Sequence, residues 1–222
     1  MYFADFDREM IEDIFGLKQT FSSSVLFDWI ELGKQKEINI HEDYFIKRLQ
    51  QDLIYRVDYW NEIELIEHFV GPIFSIVNFN TLEFGLFSER ELKAVVNEIE
   101  IKGKPDAVIA KGRYSPKIPY FCFHEYKKEQ ENKGDPQAQC LAAMLAAREL
   151  NKNDKPIYGI VVKGERWYFM VLQNQEYAIS NSYSALDEEL FEIIKLLKHL
   201  KSIIEEYVND KKNDNSICNS LN

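Results

Sequence analysis

Residues 120–127 (YFCFHEYK) constrain the fold more than any other stretch of this chain. They form an unbroken run of strand-forming residues with apolar side chains at odd and even positions alike. Successive side chains of a strand point to opposite faces, so such a run needs cover on both sides. The next segment is suited to supply it. After a polar turn (KEQENKG), Asp135 and Pro136 open AQCLAAMLAAREL, with Asp135 as N-cap and Pro136 at the first helical position. This predicts an alanine-rich helix of about four turns. Residues 156–163 (PIYGIVVK) and 166–172 (RWYFMVL) then read as two strands joined by a tight turn at Gly164-Glu165. Upstream, Pro105-Asp106 opens a short apolar run, and residues 94–102 (AVVNEIEIK) read as a further strand. The order is three strands, a helix and two strands, with long helices outside, which is an α/β pattern.

The link Gly112, Arg113, Ser115, Pro116 and Pro119 is rich in turn residues, so the run after Asp106 and the run ending in Glu125-Tyr126-Lys127 are expected to pair as a hairpin. Two carboxylates and an ammonium then meet at one end. Glu125 and Lys127 share a face by the two-residue period, and Tyr126 points away. The same period groups Phe121 and Phe123 with Glu125, and Tyr120, Cys122, His124 and Tyr126 on the other face. That combination suits phosphodiester hydrolysis, which needs a hard cation to activate water and offset phosphate charge. Mg²⁺ is commonly held by only one or two carboxylates plus waters and phosphate oxygens. A lysine adds a point charge for the attacking water or the phosphate. A Glu-x-Lys triplet alone says little, because Glu91-Leu92-Lys93, Glu100-Ile101-Lys102 and Glu131-Asn132-Lys133 also match. Only Glu125-Tyr126-Lys127 ends a strand run and follows a Pro-Asp strand. A surface ion pair beside a turn aspartate is the bland alternative.

With motif and element order together, the chain resembles the PD-(D/E)xK nuclease superfamily, most of all the N-terminal nuclease domain of type I restriction enzyme subunits. The likeness spans roughly residues 61–174, about half the chain. It implies a restriction-endonuclease-like αβββαβ core, with a central mixed sheet flanked by helices, an N-terminal helical extension and a long C-terminal helix. Asp106, Glu125 and Lys127 match the catalytic set. The helix beginning NEIELIEHFVGPIF adds Glu62, with Glu64 as the alternative, and Gln139 falls where related nucleases often carry a glutamine. The resemblance places metal on Asp106, Glu125 and the Tyr126 backbone carbonyl, with Mg²⁺ as cofactor and Mn²⁺ able to substitute. It implies a metal-dependent endonuclease or nuclease subunit acting on DNA, in restriction, phage defence or repair, with RNA left open as substrate. The rival expectation is a non-catalytic scaffold that keeps the fold.

Composition bounds the rest. The 222 residues, 45% hydrophobic, suffice for one substantial core. The expected divisions are a helical extension over 1–60, the nuclease-like core with its C-terminal helix over 61–208, and a flexible tail over 209–222. Residues 7–15, 25–32 and 42–56 are candidate helices. A net charge of −10 argues against broad nucleic-acid affinity, so binding is expected to be weak alone or to depend on dimerisation or a larger nuclease complex. Lys102, Lys104, Lys111, Arg113, Lys117, Lys127 and Lys128 offer a basic rim around the acidic centre. Cys122, Cys140 and Cys218 have neither disulfide nor zinc spacing, and His124 is expected to contact core or helix instead of acting as a base. In the segment 186–208, Leu186, Leu190, Ile193, Leu197, Leu200, Ile204 and Tyr207 form a heptad seam, usable for packing on the sheet or for a homodimer. No signal peptide and no membrane span are evident, which gives a cytoplasmic expectation.

Overall fold

The computed structural model describes the backbone of residues 1–128 and 134–219, and the side chains of these up to residue 210. Of the turn expected after Lys127 (residues 128–134), residues 129–133, with the Glu131-Asn132-Lys133 triplet among them, lie outside the described residues.

After a 3₁₀ turn at Phe3–Asp5 come α1 (Arg8–Phe15), β1 (Lys18–Gln19), α2 (Ser24–Lys34) and α3 (Ile40–Arg56). α4 (Glu62–Leu65), a π-helical turn (Ile66–Val70) and α5 (Gly71–Val77) follow without a break in helical backbone. Then come β2 (Phe84–Ser88), β3 (Leu92–Val96), β4 (Ile99–Gly103), β5 (Ala107–Lys111) and β6 (Lys117–Lys127). α6 (Pro136–Asn151), β7 (Ile157–Lys163), β8 (Arg166–Gln173), β9 (Glu176–Ile179), β10 (Tyr183–Ser184) and α7 (Glu189–Asn219) complete the chain. Most helix starts are set locally by side chains that accept otherwise unpaired N–H groups. Asp7 accepts from Met10, Ser23 from Leu26, Asn39 from His41 and Glu42, and Asp135 from Gln137 and Ala138.

The main sheet runs β1-β9-β8-β7-β6-β5-β2, with β10 beside β8. Only β6 with β7 and β1 with β9 pair in parallel; the other pairings are antiparallel, so the sheet is mixed. The cover demanded by the 120–127 run is present. One face carries α2, α3, α4–α5 and α7, through Trp29, Leu53, Phe69, Phe74 and Leu197 among others. The other carries α1, α6 and the β3–β4 hairpin, through Phe15, Ile101, Leu141 and Met144. The architecture is therefore α/β, a large mixed sheet with helices on both sides. α6 lies close to β7 because residue 159 is glycine. A Cβ there would come 2.6 Å from Met144 Sδ and 2.9 Å from Cys140 Sγ.

Several expectations change. Residues 94–102 are not one strand but parts of a hairpin, β3 and β4, whose loop residues Asn97 and Glu98 both have positive φ, 48° and 66°. Two left-handed residues make the tight loop that matches strand twist, and asparagine is well suited to the first. β2 was not foreseen. In β6 the alternation of faces is interrupted. Ile109 pairs with Cys122 and Ala110 with Tyr120, so Phe121 is an extra residue opposite no partner. The bulge places Phe121 with Cys122 and Tyr126 on the α7 face, and Tyr120 with Phe123 on the α6 face, reversing the expected sides of Phe121 and Tyr120. α7 extends to Asn219, into the segment expected to be a tail; residues 220–222 lie outside the described residues. Its seam residues Leu190, Ile193, Leu197, Leu200 and Ile204 are buried against the chain's own sheet, so they present no free dimer face.

Candidate active site

Asp106 occupies the bend just before β5, whose first residue, Ala107, pairs with His124. Two residues further along β6 the partner strand has ended, and the Tyr126 N–H would lack a ladder acceptor. It donates to Asp106 Oδ2 at 2.6 Å instead, which pins the carboxylate beside Glu125-Tyr126-Lys127. A strand residue directs its N–H and C=O to the same edge, so the Tyr126 carbonyl also faces the Asp106 side. The Lys127 carbonyl faces the opposite edge, where it accepts the Gly164 N–H at 2.9 Å.

On the α6 face of β6, Lys127 Nζ lies 3.1 Å from Glu125 Oε1 and 3.5 Å from Glu62 Oε2. Glu62 is thus brought in from the first turn of α4. Glu64 is not, since its carboxylate closes a capping box by accepting the Asn61 N–H at 2.8 Å. The four side chains Glu62, Asp106, Glu125 and Lys127, drawn from a helix, a bend and a strand, form one cluster.

Its electrostatics follow from burial. Glu125 is 5% exposed, and loss of hydration together with the Asp106 charge pushes its carboxyl up to about 8, against the pull of Lys127. Burial likewise pushes Asp106 up to about 6, opposed by the Tyr126 N–H and Lys127 and reinforced by Glu62 and Glu89. Burial alone would lower Lys127, but the charges of Glu125 and Asp106 outweigh it and its ammonium is held above the usual range. Glu89 was missed by sequence reasoning. It has φ 49° at the end of β2, its N–H donates to the Asp106 carbonyl at 3.0 Å, and nothing in its local pattern signals that proximity.

Gln139 Nε2 stands beside Gly134, and among the described residues it bonds neither Asp106, Glu125 nor Lys127. His124 is fully buried on the other face, its Nδ1 2.9 Å from the Tyr126 hydroxyl and its ring tilted against Phe74 with centroids 4.7 Å apart, and burial drops it to about 3. Burial raises the Cys122 and Cys140 thiols, which stay protonated. The basic rim is split. Lys111 pairs with Lys117 at the turn end of the hairpin, four residue steps or roughly 14 Å from the Ala107 end, so neither these two nor Arg113 adjoins the acidic centre.

Among the described residues no three His, Cys, Asp or Glu side chains are placed to hold a metal together. A cavity of about 220 Å³ lined by Phe121, Tyr158, Ile204 and Tyr207 lies at the opposite end of β6 and touches none of the cluster. The carboxylate cluster is the candidate site, because buried acids of raised pKa beside a lysine are primed for proton or cation exchange. No described helix is long and apolar enough to cross a membrane. No family model matches this chain, and no curated protein matches it.

Proposed function

We propose that the chain is a metal-dependent nuclease of the restriction-endonuclease-like class that hydrolyses phosphodiesters in DNA. One observation carries the reading. Asp106, Glu125 and Lys127 stand together at adjoining ends of β5 and β6, with Tyr126 bonded to Asp106 at 2.6 Å and Lys127 to Glu125 at 3.1 Å. The element order supports it. With the β3–β4 hairpin taken as an excursion, α4–α5, β2, β5, β6, α6 and β7 run α-β-β-β-α-β, with Asp106 just before the second strand of that series and Glu125 and Lys127 at the end of the third.

The residues suit Mg²⁺. Asp106 and Glu125 would hold it with the Tyr126 carbonyl, leaving positions for waters and phosphate oxygens. When bound, it would supply Lewis-acid stabilisation of charge on the phosphate. Asp106 is oriented for this by the Tyr126 N–H. The ionised form of Glu125, held back by burial, is favoured once a cation offsets its charge. Lys127, charged throughout the neutral range, would orient the attacking water or bind a phosphate oxygen.

The test is incubation of purified protein with plasmid, linear and single-stranded DNA and with RNA, in Mn²⁺ or EDTA. DNA cleavage is expected in Mn²⁺ only, with a loss of about 10²-fold or more in Lys127→Ala and Asp106→Ala. Cleavage that survives EDTA or either substitution overturns the site. No cleavage, with no Mn²⁺ bound, returns the chain to the scaffold reading.

A further inference from the structure

The position of Glu62 permits two roles, and the contacts of Lys127 separate them. Among the described residues the Glu62 carboxylate is bonded by Lys127 alone, at 3.5 Å, while the same ammonium lies 3.1 Å from Glu125 Oε1. Lys127 therefore stands between two carboxylates, one nearly buried and one more exposed, with side-chain exposures of 7% for Glu125 and 36% for Glu62. An ammonium has three donors and no acceptor, so it can bond both at once. A divalent cation on Glu125 would face that ammonium at close range, where like charges in a partly buried site repel strongly. Lys127 is itself only 16% exposed and needs an acceptor within reach of a small rotation. Glu62 supplies one, and its backbone is anchored independently of the sheet by the Asn61 cap and the Glu64 capping box.

We infer that Glu62 is the second seat of the Lys127 ammonium: when a divalent cation takes the Glu125 carboxylate, Lys127 shifts its weight to Glu62. Glu62 is then a positioning residue, acting through Lys127, and not a cation ligand. This rests on the reading of Asp106 and Glu125 as a cation site, and it gives the ion pairs of Lys127 with Glu125 and Glu62 a function. Lys127 holds the place of the cation, and Glu62 keeps the lysine close to the reacting phosphate once the cation is seated.

A double-mutant cycle on Mn²⁺ affinity, read by calorimetry in the absence of nucleic acid, decides it. Glu62→Gln leaves Lys127 with no seat but Glu125, so Mn²⁺ binding is expected to weaken about tenfold, and Lys127→Met is expected to tighten it about tenfold by removing the competitor. In the Lys127→Met background Glu62→Gln is expected to change affinity less than about threefold. A tenfold loss that persists there makes Glu62 a ligand and overturns the inference while leaving the cation site intact. Asp106→Asn distinguishes the underlying reading: if native protein binds no Mn²⁺, or Asp106→Asn binds as well as native, the site itself fails and the handover with it. Because Lys127→Met keeps the length of the apolar stem, retained melting behaviour in that variant separates altered binding from unfolding.

Discussion

Glu125 and His124 are neighbours in β6 with opposite linkage to pH. Glu125 is raised to about 8 in the fold, so it contributes stability that is full below its ordinary range near 4 and is lost as pH rises through 8. His124 is lowered to about 3, so its burial costs stability as pH falls below about 6.5. Between pH 4.5 and 6.5 the two slopes oppose each other, and above 6.5 only the carboxylate slope remains. Melting in EDTA is therefore expected to fall between pH 6.5 and 8, and Glu125→Gln to flatten that fall and gain at least about 1 kcal/mol at pH 8. A melting curve for Glu125→Gln parallel to the native one would place the titration elsewhere. Since protons compete for the same oxygens, Mg²⁺ is expected to raise the melting temperature more at pH 8 than at pH 6.

At the level of elements, the β3–β4 loop holds a removable strain. Glu98 adopts φ 66°, a region glycine enters without steric cost, so Glu98→Gly is expected to stabilise the protein by about 0.5–1 kcal/mol in urea titration. A loss of stability would mean that the Glu98 side chain contributes contacts outweighing the strain. α7 is the counterpart in the core. Leu197 is fully buried between the helix and the sheet, and Leu197→Ala is expected to cost about 2–5 kcal/mol, from lost burial plus the cavity left behind. A cost under 1 kcal/mol would show that α7 packs loosely. The heptad spacing of this helix was plain in the sequence, but a three-and-four pattern serves a sheet face as well as a partner helix. Only the packing of α2 and α5 along α7 decides the case.

For the molecule as a whole, the first sixty residues belong to both layers. Trp29 is buried with its ring edge-on to Tyr158 and Phe169, its Nε1 donates to the Leu196 carbonyl at 2.9 Å, and Leu53 and Ile46 cover the same face. On the other face Phe3, Phe6 and Phe15 pack with α6. A chain beginning at residue 61 would expose these surfaces, and it is expected to lose its near-ultraviolet circular dichroism and cooperative melting. Retention of both would establish an autonomous core from residue 61 onward. The net charge of −10 acts at this scale too, since it opposes association with a polyanion in general.

Local patterns alone were enough for the helix cap at Asp135, the two-sided strand at 120–127, the turn at Gly164, and the grouping of Asp106 with Glu125 and Lys127. Each depends on residues a few positions apart, or on a hairpin closing a short link, and short-range sterics and hydrogen bonding select them. Tertiary structure decided what those patterns left open: that Glu62 and not Glu64 reaches Lys127, that Glu89 adjoins Asp106, that Lys111 and Lys117 sit at the far end of the hairpin, and that a bulge turns Phe121 over. Each of these depends on the register and direction of elements meeting in space. A one-residue shift in pairing reverses a strand's faces with no change in local sequence, which is why they became legible only with the sheet assembled.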